Sequence, residues 1–277
     1  MQHHAAVLGG DLRQHHLAQM MQCCGFSVSC FDVPKTENTH TGLRDVLKNA
    51  ELLLLPVPAL CSGDAIRSEN GGIPADTVLE QLPQNAMIFG GGLGAIREKA
   101  EALGHRVFDY LEDKALTAAN AVPTAEGAIR IAMQELPITL SGCEVLVIGF
   151  GRIGKALSDR LHGLHAAVTV SARRPEDLRA IENYGLHSDQ TGVFLHGLRQ
   201  YDCIFNTVPS PILTQPHLLA LKEGCLIIDL ASGSGCTDAK LPPTVRLLRA
   251  PGLPGKEAPK TAAALLRDCI LNAIASQ

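Results

Sequence analysis

The chain has 277 residues, 46% hydrophobic and only 19% charged, so it can bury a sizeable core and is not a disordered polypeptide. A formal net charge of -4 with no Lys/Arg block leaves no basic footprint, which argues against nucleic acid as a main partner. No apolar run approaches the roughly 18 residues of a membrane span; the best, Leu52-Leu53-Leu54-Leu55, stops at Pro56.

The first half alternates short apolar runs with helical patterns. A strand at 5–8 ends in Gly9-Gly10, and Leu17, Met20, Met21 and Cys24 then mark one helix face closed by Gly25. Strands follow at 26–31, 52–55 and 86–89, the last running into Gly90-Gly91-Gly92. Leu93, Ile96, Ala100 and Leu103 trace a second helical stripe before a strand at 106–110. The nine cysteines are odd in number and form no C-x-x-C pair, and no secretory signal opens the chain, so a reduced, cytoplasmic setting is expected. Cys23, Cys24, Cys30 and Cys225 lie in or beside apolar stretches and read as small hydrophobes.

A connector helix begins near Pro123, which suits a first helical turn, and carries Ala125, Ala128, Ile129, Ala132, Met133 and Leu136 on one face until Pro137. The pattern then restarts. Strands are expected at 144–148, 167–171, 203–208, 226–230 and 246–250, with helices after 154 and from Pro175 to Gly185. The run 251–259, with three prolines and two glycines, reads as a loop passing close to a ligand, and 261–275 as a final helix with Leu266, Ile270, Ala273 and Ile274 inward. Strand–helix alternation throughout implies an α/β chain of two Rossmann-like, doubly wound parallel-sheet domains joined by an interdomain helix. The expected division is 1–119, a substrate domain, and 120–259, a nucleotide-binding domain, with the helix at 260–277 free to pack back on the first.

Gly149-Phe150-Gly151-Arg152-Ile153-Gly154 follows directly on the strand Val145-Leu146-Val147-Ile148 and opens a helix, the context that turns a G-x-G-x-x-G into a dinucleotide site. The first glycine permits the tight turn, the second lets backbone approach the pyrophosphate, and the third lets helix and strand pack closely. The helix N-terminus then offers free N–H groups to phosphate. The next strand ends in Ser171-Ala172-Arg173-Arg174, where a carboxylate would select NAD; a hydroxyl and two guanidinium groups suit the 2′-phosphate of NADP, with NAD still open. Arg173 and Arg174 are also explained as solvated charges paired with Glu176 and Asp177. Asn206-Thr207-Val208-Pro209 and Asp229-Leu230-Ala231-Ser232 end two further strands and are expected to border the cofactor, Asp229 either there or in a structural hydrogen bond.

Several runs together resemble the dipicolinate synthase A-subunit family: Gly9-Gly10-Asp11-x-Arg13-Gln14, Asn120-Ala121-Val122-Pro123-Thr124-Ala125-Glu126-Gly127-Ala128-Ile129, Glu135-Leu136-Pro137-Ile138-Thr139, the glycine loop, and Gly252-Leu253-Pro254-Gly255-x-x-Ala258-Pro259-x-Thr261-Ala262. The resemblance covers nearly the whole chain, and His3, His4, His15 and His16 are a local departure from it. It implies NADP-dependent oxidation, with loss of water, of 4-hydroxy-tetrahydrodipicolinate to dipicolinate in the mother cell of a sporulating bacterium. It also implies work beside a flavoprotein-like B-subunit, with room for a homodimer.

A substrate with two carboxylates calls for cations and oriented donors. Arg13 at the first strand–helix junction, Lys256, and the group Asn120, Thr124 and Glu126 at the connector's start are the candidates, with Asp11 or Glu126 as general base. Arg13 could equally be a surface arginine, and Glu126 could pair with Arg130 one turn on. Adjacent His15 and His16 point in different directions, and no metal site is expected. Two other functions fit the same fold: another two-domain dehydrogenase of a small carboxylate, of the alanine or shikimate type, and an NADP-binding scaffold that supports a partner.

Overall fold

The computed structural model describes residues 3–36, 42–61 and 64–276. The chain forms two compact units, Met1–Asn120 with Pro254–Gln277, and Ala121–Leu253.

In the first unit, β1 (His4–Leu8) leads through a glycine turn into α1 (Leu12–Cys23), followed by β2 (Ser27–Phe31), α2 (Leu43–Leu47) and β3 (Leu52–Leu54). A two-stranded hairpin, β4 (Ala65–Ile66) and β5 (Ile73–Pro74), precedes α3 (Ala75–Gln81), β6 (Met87–Gly90), α4 (Gly94–Ala102), β7 (Arg106–Asp109) and α5 (Lys114–Ala119). Among the described residues the sheet order is β2-β1-β3-β6-β7, all neighbours parallel, so the chain reverses direction across the sheet between β1 and β3. Alternation along each strand divides the core. Ala6, Leu8, Leu53 and Ile88 face one side, and Ala5, Val7, Leu52, Leu54 and Phe89 the other.

The second unit starts with α6 (Ala121–Glu135) and continues with β8 (Glu144–Ile148), α7 (Arg152–Gly163), β9 (Ala167–Ala172), α8 (Pro175–Asn183), β10 (His187–Gln190), β11 (Cys203–Asn206), α9 (Gln215–Leu219), β12 (Leu226–Asp229) and β13 (Arg246–Arg249). Its order is β10-β9-β8-β11-β12-β13, all parallel, reversing between β8 and β11. Val145 and Val147 face the side covered by α6, α7 and α8, while Leu146 and Ile148 face Tyr201, Leu213 and Leu218. Both sheets therefore have the doubly wound architecture expected from the strand–helix alternation, each with a switch point of the kind outside which open α/β sheets commonly bind ligands.

The run 251–259 is not a loop. After Gly252, at φ +71°, a short helix α10 spans Leu253–Glu257, and α11 (Pro259–Ala275) begins at once with Pro259 in its first turn. Proline in a first turn forfeits no helical hydrogen bond, so the position of each proline matters more than their number. Helix α11 lays Ala263, Leu266 and Ile270 against Leu17, Ala18 and Met21 of α1. Some positions read as apolar packing lie outside the core: Leu103 is 51% exposed, Met133 is 59% exposed, and Cys23 and Cys24 are both exposed at the end of α1. The buried face of α1 instead includes Arg13 and Gln14, which a search for apolar periodicity passes over.

Candidate functional site

At the switch point of the second unit two of the three loop glycines are required by the fold itself. Gly149 has φ +101°, and a Cβ there would lie 2.5 Å from Thr207 Oγ1. At Gly154 a Cβ would lie 2.0 Å from the carbonyl oxygen of Gly149, so only glycine lets α7 pass this close to the end of β8. At Gly151, the N-cap of α7, a Cβ would meet nothing of the chain. The fold itself therefore does not require glycine at 151, the position at which a dinucleotide loop of this type brings its backbone to the pyrophosphate. Thr207 N and Oγ1 both donate to the carbonyl of Ile148, at 3.0 and 2.9 Å, and so fasten the end of β11 beside the loop.

A groove of about 490 Å³ opens here, lined by Gly149, Phe150, Gly151, Arg173, Arg174, Thr207, Val208 and Pro209 among others. These are eight of the expected cofactor residues. Arg152, Ile153 and Gly154 start α7 behind the groove. It also takes in Thr191 just beyond β10, which sequence reasoning missed because His187-Ser188-Asp189-Gln190 has no apolar signature of a strand.

Several of the expected cofactor residues have hydrogen-bond partners within the chain, and for Asp229 and Arg174 these are the structural alternatives already open. Ser171 is fully buried inside β9, and its Oγ accepts a hydrogen bond from the groove residue Thr191 through Oγ1 at 3.0 Å, so Thr191 and not Ser171 lines the groove. Asn206 is also fully buried, and its amide donates to the Val208 carbonyl at 2.9 Å and to Asp229 Oδ1 at 2.8 Å. Asp229, 1% exposed, accepts in addition from the backbone N–H groups of Ala231 and Cys236. Asn206 and Asp229 thus shape the strand-end loops, and Ala231 enters through its own N–H into that same network. Arg174 is held by Asp177, at 2.8 Å, and by Glu176 at 3.4 Å, while the Arg173 guanidinium has no hydrogen bond or ion pair among the described residues.

The switch point of the first unit holds Asp11 and Arg13. Asp11 caps α1 by accepting from the Arg13 backbone N–H at 3.0 Å. Its carboxylate also takes Arg13 Nε at 2.9 Å and Nη2 at 2.7 Å, and the same Nη2 donates to the Val57 carbonyl beyond β3 at 2.5 Å. Arg13 is therefore a buried residue bridging the two strand ends, not a surface arginine. Partial burial pushes the Asp11 carboxyl up, but the hydrogen bonds and charge of Arg13, aided by Arg67, outweigh it and hold the group below its ordinary value. A carboxylate so occupied is a poor proton acceptor, which counts against Asp11 as general base.

Behind Arg13 a cavity of about 20 Å³ is lined by Tyr110, Thr117 and Asn120, among others. It has room for one water-sized molecule and none for a dicarboxylate. Lys256 is exposed on α10, in the unit that holds Arg13. Thr124 and Glu126 belong to the second unit: Thr124 is buried in α6, and Glu126 is exposed and pairs with Arg160 of α7 at 3.3 Å. Glu126 is thus engaged in an ion pair across two helices.

A glycine loop fastened at the switch point of one parallel sheet, with a second doubly wound sheet in the same chain, defines a two-domain nicotinamide-binding dehydrogenase fold. Comparison with known proteins agrees. Residues 4–111 match the family model for the dipicolinate synthase A-subunit N-terminal domain, and residues 115–244 that for the D-isomer specific 2-hydroxyacid dehydrogenase NAD binding domain. The dipicolinate synthase A-subunit of Bacillus subtilis is 30% identical over 98% of this chain and 95% of its own length. The crystal structure of the Bacillus subtilis protein superposes with a TM-score of 0.85 at 28% identity, covering 100% of this chain and 97% of that one. The Bacillus halodurans structure gives 0.85 at 26% identity, over 99% and 98%. The chain belongs to the dipicolinate synthase A-subunit family.

Proposed function

We propose that the chain is the hydride-transferring component of a dipicolinate-forming enzyme. The reaction removes water from 4-hydroxy-tetrahydrodipicolinate and then two hydrogens from the ring, one as hydride and one as a proton released to solvent. Bound NADP would accept the hydride. The observation that carries this reading is a dinucleotide-type glycine loop, with Gly149 and Gly154 sterically required, in a chain that belongs to this family along nearly its whole length.

The chain's own groups would act by holding and orienting. The α7 N-terminus and the Gly151 backbone would take the pyrophosphate, and Arg173 the 2′-phosphate that distinguishes NADP from NAD. Lys256 would face carboxylate, with Arg13, held by Asp11, fixing the strand ends of the same unit. The two carboxylates nearest by motif, Asp11 and Glu126, are both spent in ion pairs. Aromatisation of the ring is itself strongly downhill, so orientation of substrate toward the nicotinamide supplies more of the rate than proton abstraction by a carboxylate. A flavoprotein-like B-subunit would share the sequence of steps.

The test incubates the purified chain with substrate, NADP and the partner protein, following NADPH absorbance and dipicolinate by terbium luminescence. Both signals should rise together and stop when the chain is omitted. Dipicolinate formed equally fast without the chain, or without NADP reduction, would refute the assignment.

A further inference from the structure

Arg67 was not singled out by any sequence motif, yet the fold brings it to the β1–α1 turn. The Gly10 N–H donates to the Arg67 carbonyl at 2.8 Å, and the Arg67 N–H donates to the carbonyl of Ala59 at 2.8 Å. A Cβ on Gly9 would lie 2.2 Å from that same Arg67 carbonyl oxygen and 3.2 Å from Ser68 Cβ. The glycines at 9 and 10, at φ +55° and +84°, thus let the segment after the β4 strand lie directly on the turn that carries Asp11. The placement is near enough for the Arg67 charge to act on the Asp11 carboxyl.

The charge balance of the first unit makes this position informative. Arg13 is matched by Asp11, so the pair presents no net charge to a ligand. Arg97 is paired with Glu101 and Glu112, and Lys99 with Asp64 and Asp76. Arg67 is exposed, and its guanidinium has no hydrogen bond or ion pair among the described residues. A dianion arriving at this strand end needs a cation that is not already spent, in a geometry fixed by the backbone.

We propose that Arg67 is a carboxylate-binding residue of the first unit, holding one of the two carboxylates of a dicarboxylate ligand beside the β1–α1 turn. This rests on the reading above that the ligand is a dicarboxylate. Because the segment is anchored through the Arg67 backbone, replacing the side chain leaves those anchors in place.

The experiment measures binding of dipicolinate and of picolinate, which has one carboxylate, to the full chain by calorimetry, with NADPH affinity as the control for folding. In Arg67→Gln, dipicolinate affinity should fall about tenfold or more, while picolinate affinity changes little and NADPH affinity is retained. Arg67→Lys should recover part of the loss, a lysine keeping the charge without the two-pronged geometry. An Arg67→Gln chain that still prefers dipicolinate as strongly as the wild type overturns the assignment alone. A wild-type chain that does not distinguish the two acids overturns the dicarboxylate reading, and Arg67 with it.

Discussion

The carboxylate of Asp11 receives Arg13 through its side chain and its backbone at once, with Nη2 at 2.7 Å, Nε at 2.9 Å and the N–H at 3.0 Å. The cap of α1 and the partner of a buried guanidinium are therefore one group. The arrangement fixes Arg13 against the Val57 carbonyl and couples the geometry of the strand ends to the start of the helix.

Asp11→Asn keeps a capping oxygen but leaves the buried Arg13 without its counter-charge. Because Asp11 is partly solvated, we expect a loss of about 1–3 kcal/mol in urea unfolding. The pH dependence follows from the direction of the Asp11 shift. The folded carboxyl is held below its ordinary 3.8, so its stabilisation is fully present above that value and disappears as pH falls through the lower, folded-state value. The stability gap between wild type and variant should be flat from neutral pH to about 4 and close below it. A gap that closed on the alkaline side instead would contradict this sign.

Gly255 of α10 is the neighbour that makes this pair tight. A Cβ there would fall 2.5 Å from Asp11 Oδ2 and 2.7 Å from Arg13 Nε. Gly255→Ala must push the pair apart or displace the helix, at a cost of about 1–3 kcal/mol. A helical glycine exchanged for alanine with no such neighbour would gain stability, by about 0.5–1 kcal/mol, so a thermal melt reads the sign directly.

Both sheets were legible from the sequence because apolar runs bounded by glycine define most of the buried strands, and the glycine loop announced its own context. The polar strand at His187–Gln190 and the hairpin Ala65–Ile66 with Ile73–Pro74 were not, since neither has an apolar run of strand length. Site residues were legible as positions and not as roles. Ser171, Asn206 and Asp229 occupy the strand ends the motif pointed to, but whether a polar group turns outward to ligand or inward to stabilise a loop depends on partners distant in sequence, Thr191 for Ser171 and Asn206 for Asp229. Arg67 needed the fold altogether, because its link to the first turn runs through a backbone carbonyl.

The cysteines divide by accessibility. Burial pushes the thiols of Cys30 up to about 11 and of Cys225 and Cys236 up to about 12, whereas Cys23 and Cys24 are exposed. Brief iodoacetamide treatment of the native chain at neutral pH, read by mass spectrometry, should therefore modify Cys23 and Cys24 and spare Cys30, Cys225 and Cys236. Equal modification of all five in the native chain would contradict that burial pattern.

Arg173 and Arg174 are adjacent in sequence but differently committed. Arg174 is engaged by Asp177 and Glu176, and Arg173 lines the same groove without such a partner. Arg173→Ala should weaken NADPH binding by about tenfold with little effect on NADH, and Arg174→Ala should change the NADPH preference by less than about threefold. Fluorescence titration with both cofactors separates the outcomes, and an unaltered preference in Arg173→Ala would remove this residue from 2′-phosphate recognition.

Gly151 and Gly154 make opposite predictions for the same substitution. Alanine at 154 would set its Cβ 2.0 Å from the Gly149 carbonyl oxygen, a backbone atom that cannot move without unseating β8 from α7. Gly154→Ala should therefore lose about 3 kcal/mol of stability or fail to fold. Alanine at 151 meets no atom of the chain, and its cost to folding is confined to a weaker helix cap, about 0.5–1 kcal/mol. Yet that methyl group would stand where the pyrophosphate must approach the backbone, so NADPH affinity should fall at least about tenfold in Gly151→Ala while the melting curve stays close to wild type. Unfolding by urea and titration with NADPH on the two variants test both halves. Were Gly151→Ala to bind NADPH normally, the close-approach role of the second glycine would be lost even though the fold stands.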